Sequence, residues 1–303
     1  MVSISPPTVR WSQTIPPSHI FGFHSMATLH NARRVVLSLS GSGHLLVYQL
    51  GACRFLLKQP NLVVTDVVGA SGGSIAATLV AARLSLDDYA QAFIQKRGNG
   101  LELLLEFWDD KYSQSSADKE DDSTTTSVGL HIATTRCEDG ASKVFSFTNL
   151  KEPTRIFDCL RASCLLPPTF HPLDMISSSP DPYPDNEGIP IDDPIVGTQF
   201  YVDGGIATPA PMLLDEDDED ALSTYIIVSP VAGTSTHTLR LSPSSTARWW
   251  CPQLQFRYDM GCYMSWFNLK ALRAASGVVT SSELQDWYER GQDDALRFIK
   301  DLE

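Results

Sequence analysis

One serine, one aspartate and two glycine-rich turns stand out in this 303-residue chain as groups whose type and spacing could do chemistry. Gly69-Ala70-Ser71-Gly72-Gly73 is a G-x-S-x-G placed between a β-branched run, Leu62–Val68, and a stretch of small and apolar residues beginning at Ser74. A sharp strand-to-helix turn lifts a serine hydroxyl above a sheet, and glycines on both sides remove the clashes such a turn creates. The helix that follows points its positive end at a developing oxyanion. Gly41-Ser42-Gly43 follows another apolar run, Val35–Leu39, and bare backbone N–H groups there can face an anion. Tyr201-Val202-Asp203-Gly204-Gly205 places a carboxylate at a strand end. A hydroxyl is a weak nucleophile until a hydrogen-bonded base takes its proton, so a serine lifted in this way needs a base beside it. Each signal alone is also a plain glycine-rich turn or a β-turn aspartate.

Competing readings use other residues. Ser71, Asp203 and His237 run in the chain order of an α/β-hydrolase triad, although Gly233–Thr238 reads as an exposed loop. His44 in the first glycine turn could donate a hydrogen bond to the site. Gly41-x-Gly43 is not a dinucleotide fingerprint, because Leu46 takes the place of the third glycine. The acidic run Asp215–Asp220 lacks the glycine and spacing of a calcium loop and reads as a solvated turn. No Cys or His spacing suggests zinc, so no metal and no cofactor is expected. Arg248-Trp249-Trp250 and Trp266-Phe267 combine aromatics and a cation as a membrane interface does, and core packing explains such aromatics as well.

These groups need a scaffold that holds strand ends together. Strand, glycine-rich turn and helix occur twice in succession, over 35–57 and 62–83, which argues for a parallel α/β sheet with covering helices. His131–Thr135 and Lys143–Phe147 read as strands joined by the Glu138-Asp139-Gly140 turn, and Ile156–Cys164 as a helix. Thr224–Ser229 is a further strand. Residues 113–126 and 177–194 read as loops. Thr280-Ser281-Ser282-Glu283 is a capping box, followed by Leu284, Trp287, Tyr288, Gly291, Ala295, Phe298 and Leu302 at helical spacing. Residues 1–32, broken by Pro6, Pro7, Pro16 and Pro17, read as a flexible tail whose Ser/Thr-rich, acid-free composition also fits an organelle transit peptide. The folded domain is expected over 33–303.

Composition sets outer limits. Apolar residues make up 43% and charged residues 19%, which excludes a disordered chain. A net charge of −13 argues against nucleic acid as a partner. The first acidic residue is Asp66, so attraction to an anionic surface would be local. The six cysteines read as reduced thiols of an intracellular protein.

Gly41-Ser42-Gly43, Gly69-Ala70-Ser71-Gly72-Gly73 and Asp203-Gly204-Gly205, in that order, resemble the patatin-like phospholipase family. Leu37–Leu45 (LSLSGSGHL) and Leu160–Pro167 (LRASCLLP) are similar to motifs of its adiponutrin and adipose triglyceride lipase branch, and Tyr288–Ile299 is similar to that family's closing helix. The resemblance implies a three-layer α/β/α fold with a mostly parallel sheet, a Ser71–Asp203 dyad without histidine, and an oxyanion hole at Gly41, Ser42, Gly43 and Gly72. It also implies hydrolysis of glycerolipid acyl esters at a membrane or lipid-droplet surface, in the cytoplasm or an organelle. Leu46 stands where family loops usually carry glycine, and Thr208-Pro209-Ala210-Pro211 where an Asn commonly precedes the last proline. Those departures motivate one alternative, a lipid-binding or regulatory protein with impaired catalysis; the chain order Ser71, Asp203, His237 leaves another, an esterase that uses His237.

Overall fold

The computed structural model describes residues 34–114, 127–170, 183–193, 196–213, 223–235, 238–243, 253–255, 260–263 and 265–303. The expected tail 1–32, most of the loop expected at 113–126, Asp215–Asp220, His237 and Arg248-Trp249-Trp250 lie outside these residues.

A continuous apolar run buried on both faces suits the centre of a parallel sheet. β1 (Arg34–Leu39) and β2 (Val64–Ala70) are such runs and lie side by side, with Leu39 opposite Gly69. β3 (Gly129–Arg136) extends the sheet beyond β2 in parallel. β4 (Ser142–Phe147) folds back on β3 through the turn at Gly140, whose φ is 66°. β5 (Ile189–Asp193) and β6 (Gly197–Asp203) close this side as antiparallel strands, with Thr134 of β3 opposite Asp203. On the other side β7 (Ser223–Val228) runs parallel to β1. β8 (Gly233–Ser235) leaves the main sheet, and β9 (Leu239–Leu241) completes it beside β7. The order is β5-β6-β3-β2-β1-β7-β9, with β4 also on β3. β10 (Gln253–Gln255) and β11 (Met260–Tyr263) join β8 in a separate three-stranded antiparallel sheet.

Two segments expected as loops are partly strands. Ile189–Asp193, inside the stretch read as a loop, is the edge strand β5, where Pro190 withholds no ladder hydrogen bond that a central strand would need. Gly233-Thr234-Ser235 is β8, paired with Met260–Cys262.

Helices flank the sheet. α1 (Leu46–Leu56) follows a 3-10 turn, Gly43–Leu45. All residues of α2 (Gly72–Ala81) are buried, which explains its lack of a polar face. α3 (Leu86–Lys96), capped by Ser85, and α4 (Gly100–Gln114) go beyond the sequence expectation. α5 (Pro153–Ser163) starts with proline at its first position and packs on β3 and β5. α6 (Gly204–Ala207) is a single turn after Asp203. α7 (Trp266–Ala275) and α8 (Ser281–Leu302) end the chain. Among the described residues no helix is long and apolar enough to cross a membrane.

α8 starts at the expected capping box: the Thr280 hydroxyl accepts from the Glu283 amide at 3.2 Å, and the Glu283 carboxylate accepts from the Thr280 amide at 2.8 Å. It crosses α1 at backbone contact. A Cβ on Gly51 would lie 2.1 Å from the Tyr288 carbonyl oxygen, and one on Gly291 the same distance from that of Tyr48. Buried Asp294 accepts from the Tyr48 hydroxyl at 3.0 Å and pairs with Arg297. The glycines are therefore a condition of the crossing. Gly291→Ala is expected to destabilise by about 1–3 kcal/mol through overpacking, despite alanine's better helix propensity, as read from chemical denaturation.

Candidate active site

Ser71 sits between β2 and α2 with φ 52° and ψ −131°. A side-chain-bearing residue adopts that backbone only where its surroundings hold it there. Here the glycines supply the space. A Cβ on Gly69 would lie 2.3 Å from the Gly73 carbonyl oxygen, and one on Gly73 2.3 Å from that of Leu39. The Ser71 amide donates to Ser163 Oγ at 3.0 Å, and the Ser163 hydroxyl donates to the Ala133 carbonyl at 2.7 Å. Ser163 thus ties the turn to α5 and β3.

Asp203 ends β6 and caps α6. Its carboxylate accepts from the Gly205 amide at 2.7 Å, and the Ser71 side chain lies close enough to favour its charged form. Its own amide donates to the Leu165 carbonyl at 2.8 Å, and its carbonyl accepts from the Thr135 hydroxyl at 2.7 Å. Backbone on both sides is therefore fixed. A Cβ on Gly204 would lie 2.1 Å from the Ala133 carbonyl oxygen, so β3 and the Asp203 turn are in direct contact. Asp203 is 3% exposed, and this burial pushes its pKa up to about 6 against the lowering effect of the Ser71 side chain and the Gly205 amide. A carboxylate so placed is a base matched to near-neutral pH.

The loop from Gly41 to Gly43 lies against this pair. A Cβ on Gly72 would be 2.6 Å from Gly43 O and 2.9 Å from both Gly43 N and Ser42 Oγ, so the loop and the start of α2 touch. The amides of Ser42, Gly43 and Gly72 have no hydrogen-bond partner among the described residues. Gly41 departs from the expected oxyanion role, because its amide donates to the Pro209 carbonyl at 2.8 Å and is already used. Gly43 has φ 49°, a backbone open to glycine at little cost.

Gln49 is an organiser of the loop that the motifs did not include. It is fully buried in α1, and its amide nitrogen donates to the carbonyls of Ser40 at 2.7 Å and Val228 at 3.2 Å. Its carbonyl oxygen accepts from the Ser42 hydroxyl at 2.9 Å. One side chain thereby joins β1, β7 and the loop. The only hint available was a polar residue inside an apolar helix.

His44 points elsewhere. Its ring packs against Phe93, with centroids 5.6 Å apart, and against Gly277. Cys164 lies by Ser74, with Sγ 3.9 Å from Ser74 Oγ. Desolvation and the charge of Asp203 push its thiol up to about 12, so it stands beside the dyad as a neutral group. A Ser–His–Asp chain does occur among the described residues, at other positions. His131 Nε2 is 3.0 Å from Asp66 Oδ1, and its Nδ1 is 2.8 Å from Ser146 Oγ. Asp66 stands near the start of β2 and Ser71 beyond its end, so this chain bridges β2, β3 and β4 away from the candidate dyad. Among the described residues no His, Cys, Asp and Glu side chains group as a metal site.

A Ser–Asp pair at a strained strand–helix turn, beside open loop amides, is a geometry that comparison with known proteins can place. The family model of patatin-like phospholipases matches residues 37–214. The chain belongs to the patatin-like phospholipase family. The match takes in Ser71, Asp203 and the whole Gly41–Gly43 loop. Among solved structures, the patatin-like chain is similar to VipD from Legionella pneumophila, with a TM-score of 0.41 and 10% identity over 88% of this chain. It spans 66% of that chain, and at this score the likeness carries nothing further. No curated sequence matches the chain.

Gln49→Leu leaves two buried carbonyls and the Ser42 hydroxyl without their partner. It is expected to cost on the order of 2 kcal/mol or more, measured by denaturant unfolding. Gln49→Glu, which cannot donate to the carbonyls when ionised, should lose at least as much.

Proposed function

We propose that the protein is a serine lipid acyl hydrolase that cleaves fatty-acyl esters of glycerolipids through Ser71 and Asp203. The observation that carries this reading is the Ser71 hydroxyl, held at φ 52° on a strand–helix turn beside Asp203, a carboxylate that is 3% exposed and whose charge the Ser71 side chain favours. Asp203 takes the hydroxyl proton as Ser71 Oγ attacks the ester carbonyl. The tetrahedral oxyanion is met by the amides of Ser42, Gly43 and Gly72 and by the N-terminal end of α2. The alcohol leaves with a proton returned from Asp203, and water activated by the same carboxylate releases the fatty acid from the acyl-enzyme.

Family membership supports lipid hydrolysis in general. The closer likeness of Leu37–Leu45 and Leu160–Pro167 to the adiponutrin and adipose triglyceride lipase branch supports glycerolipid esters as substrates. Ser163, in the second of these stretches, holds the Ser71 amide, which gives that motif a physical task. The alternative of a catalytically impaired lipid-binding protein rests on Leu46 and on Thr208-Pro209-Ala210-Pro211. Leu46 is 2% exposed and packs in the core, while Pro209 holds the Gly41 amide. Neither observation speaks against the Ser71–Asp203 reading.

Two experiments test the proposal. With a long-chain ester substrate, Ser71→Ala should lower kcat at least 10³-fold, and Asp203→Asn by about 10²–10⁴-fold. Wild-type-like turnover by either variant would remove the dyad, and no Ser71 labelling of folded protein by a fluorophosphonate would favour the lipid-binding alternative. The second is a pH profile. The protonated acid form of Asp203 cannot accept the serine proton, so kcat/KM should fall as pH drops through about 6 and level off above it. His237→Ala should leave that limb in place; a limb that disappears with His237 would point to the histidine esterase.

A further inference from the structure

α7 divides its side chains sharply. Asn268, Ala271 and Ala274 are buried, whereas Trp266, Leu269 and Leu272 are 76%, 53% and 56% exposed. Three- and four-residue steps put Trp266, Leu269, Lys270 and Arg273 on one outward arc. Val278, just beyond the helix, is 61% exposed as well. A Trp and two Leu left in water on one short helix form an apolar patch whose removal from water is favourable.

Charge says what covers it. The helix carries Lys270 and Arg273 and no acid, in a chain of net charge −13. A groove of about 880 Å³ between α7 and α8 continues the patch. At its rim Arg290 lies over the rings of Phe267 and Trp287, with centroids at 5.0 and 5.6 Å. Glu283 in the same groove is tied to Arg273 and to the Thr280 cap, and Asp286 is the other acid there. Aromatic and aliphatic side chains flanked by cations, on a helix lying flat at the surface, match the boundary between lipid headgroups and acyl chains. An anionic headgroup layer complements Lys270 and Arg290 where the rest of the chain would be repelled.

The far end of α7 reaches the catalytic loop. A Cβ on Gly43 would lie 2.2 Å from the Ala275 carbonyl oxygen, and one on Gly277 would lie 3.0 Å from the His44 ring. The last turn of the helix is therefore in backbone contact with the loop that carries the open Ser42 and Gly43 amides.

We propose that the outward face of α7 docks this protein on an anionic phospholipid bilayer and so sets the Gly41–Gly43 loop at the lipid surface. This deepens the lipid-hydrolase reading, and its test is independent of turnover. The Ser71→Ala full chain is sedimented with vesicles of phosphatidylcholine alone or mixed with phosphatidylserine. It should bind the mixed vesicles more tightly. Adding Trp266→Ser and Leu269→Ser should lower the partition coefficient about tenfold or more on both. Lys270→Ala should lower it about fivefold, on the phosphatidylserine vesicles only. All three positions are exposed, and unchanged thermal unfolding by circular dichroism shows that each variant folds. The proposal is overturned if the parent stays in solution with both vesicles, or if these substitutions leave binding unchanged. It is also overturned if the parent is a dimer that Trp266→Ser dissociates, which assigns the face to a second copy. Vesicle binding by Ser71→Ala together with an inert wild-type enzyme would sink the hydrolase reading and leave this one standing.

Discussion

The backbone at Ser71 is the constraint on which the site depends. A serine at φ 52° is strained, and nothing local to the turn relieves that cost. It persists because three neighbours leave no other path. α2 starts in contact with the Leu39 carbonyl at Gly73, the Gly41–Gly43 loop closes on Gly72, and Ser163 accepts the Ser71 amide. They come from two distant parts of the chain, the end of β1 with the loop after it and the end of α5. The strain is thus balanced by packing of β1, β2, β3 and α5 around one turn, and α2 can be buried along its whole length because it belongs to that turn.

Asp203 is held by the same logic with a different currency. Desolvation opposes its charge, while the Gly205 amide and the nearby Ser71 side chain favour it. Burial wins, so the carboxyl is a weaker acid than a free aspartate and a correspondingly stronger base when ionised. Its position at the end of β6, opposite Thr134, is what brings a residue 132 positions along the chain from Ser71 next to it.

The loop and α7 form a second chain of contacts. Gln49 fastens the loop from beneath, through Ser40 and Ser42, while the end of α7 presses on Gly43 from outside. The Gly41–Gly43 loop beside Ser71 is thus clamped between the core and an exposed amphipathic helix. The α1–α8 crossing at Gly51 and Gly291 supplies the rigid base on which Gln49 stands, since Gln49 lies on α1 itself.

The sequence by itself determined the local devices. Two strand–turn–helix units, the Ser71 elbow, the Asp203 strand end and the Thr280 capping box all depend on neighbours within a few residues, so residue type and spacing fix them. Ile189–Asp193 escaped because an edge strand made of Pro, Asp and Ile has no pattern apart from its partner. Only the tertiary structure decided which amides stay open. Gly41 and Gly43 are the same residue type in the same turn, yet Gly41 donates to Pro209, which lies far along the chain. Gln49 and Ser163 became site residues through bonds to Val228 and Ser71, 179 and 92 positions away. Trp266 and Leu269 fit a core and a surface equally well as sequence, and only the packing of α7 put them in water. Hydrogen bonds and burial at such separations depend on where the sheet brings its strand ends, and no window along the chain contains that information.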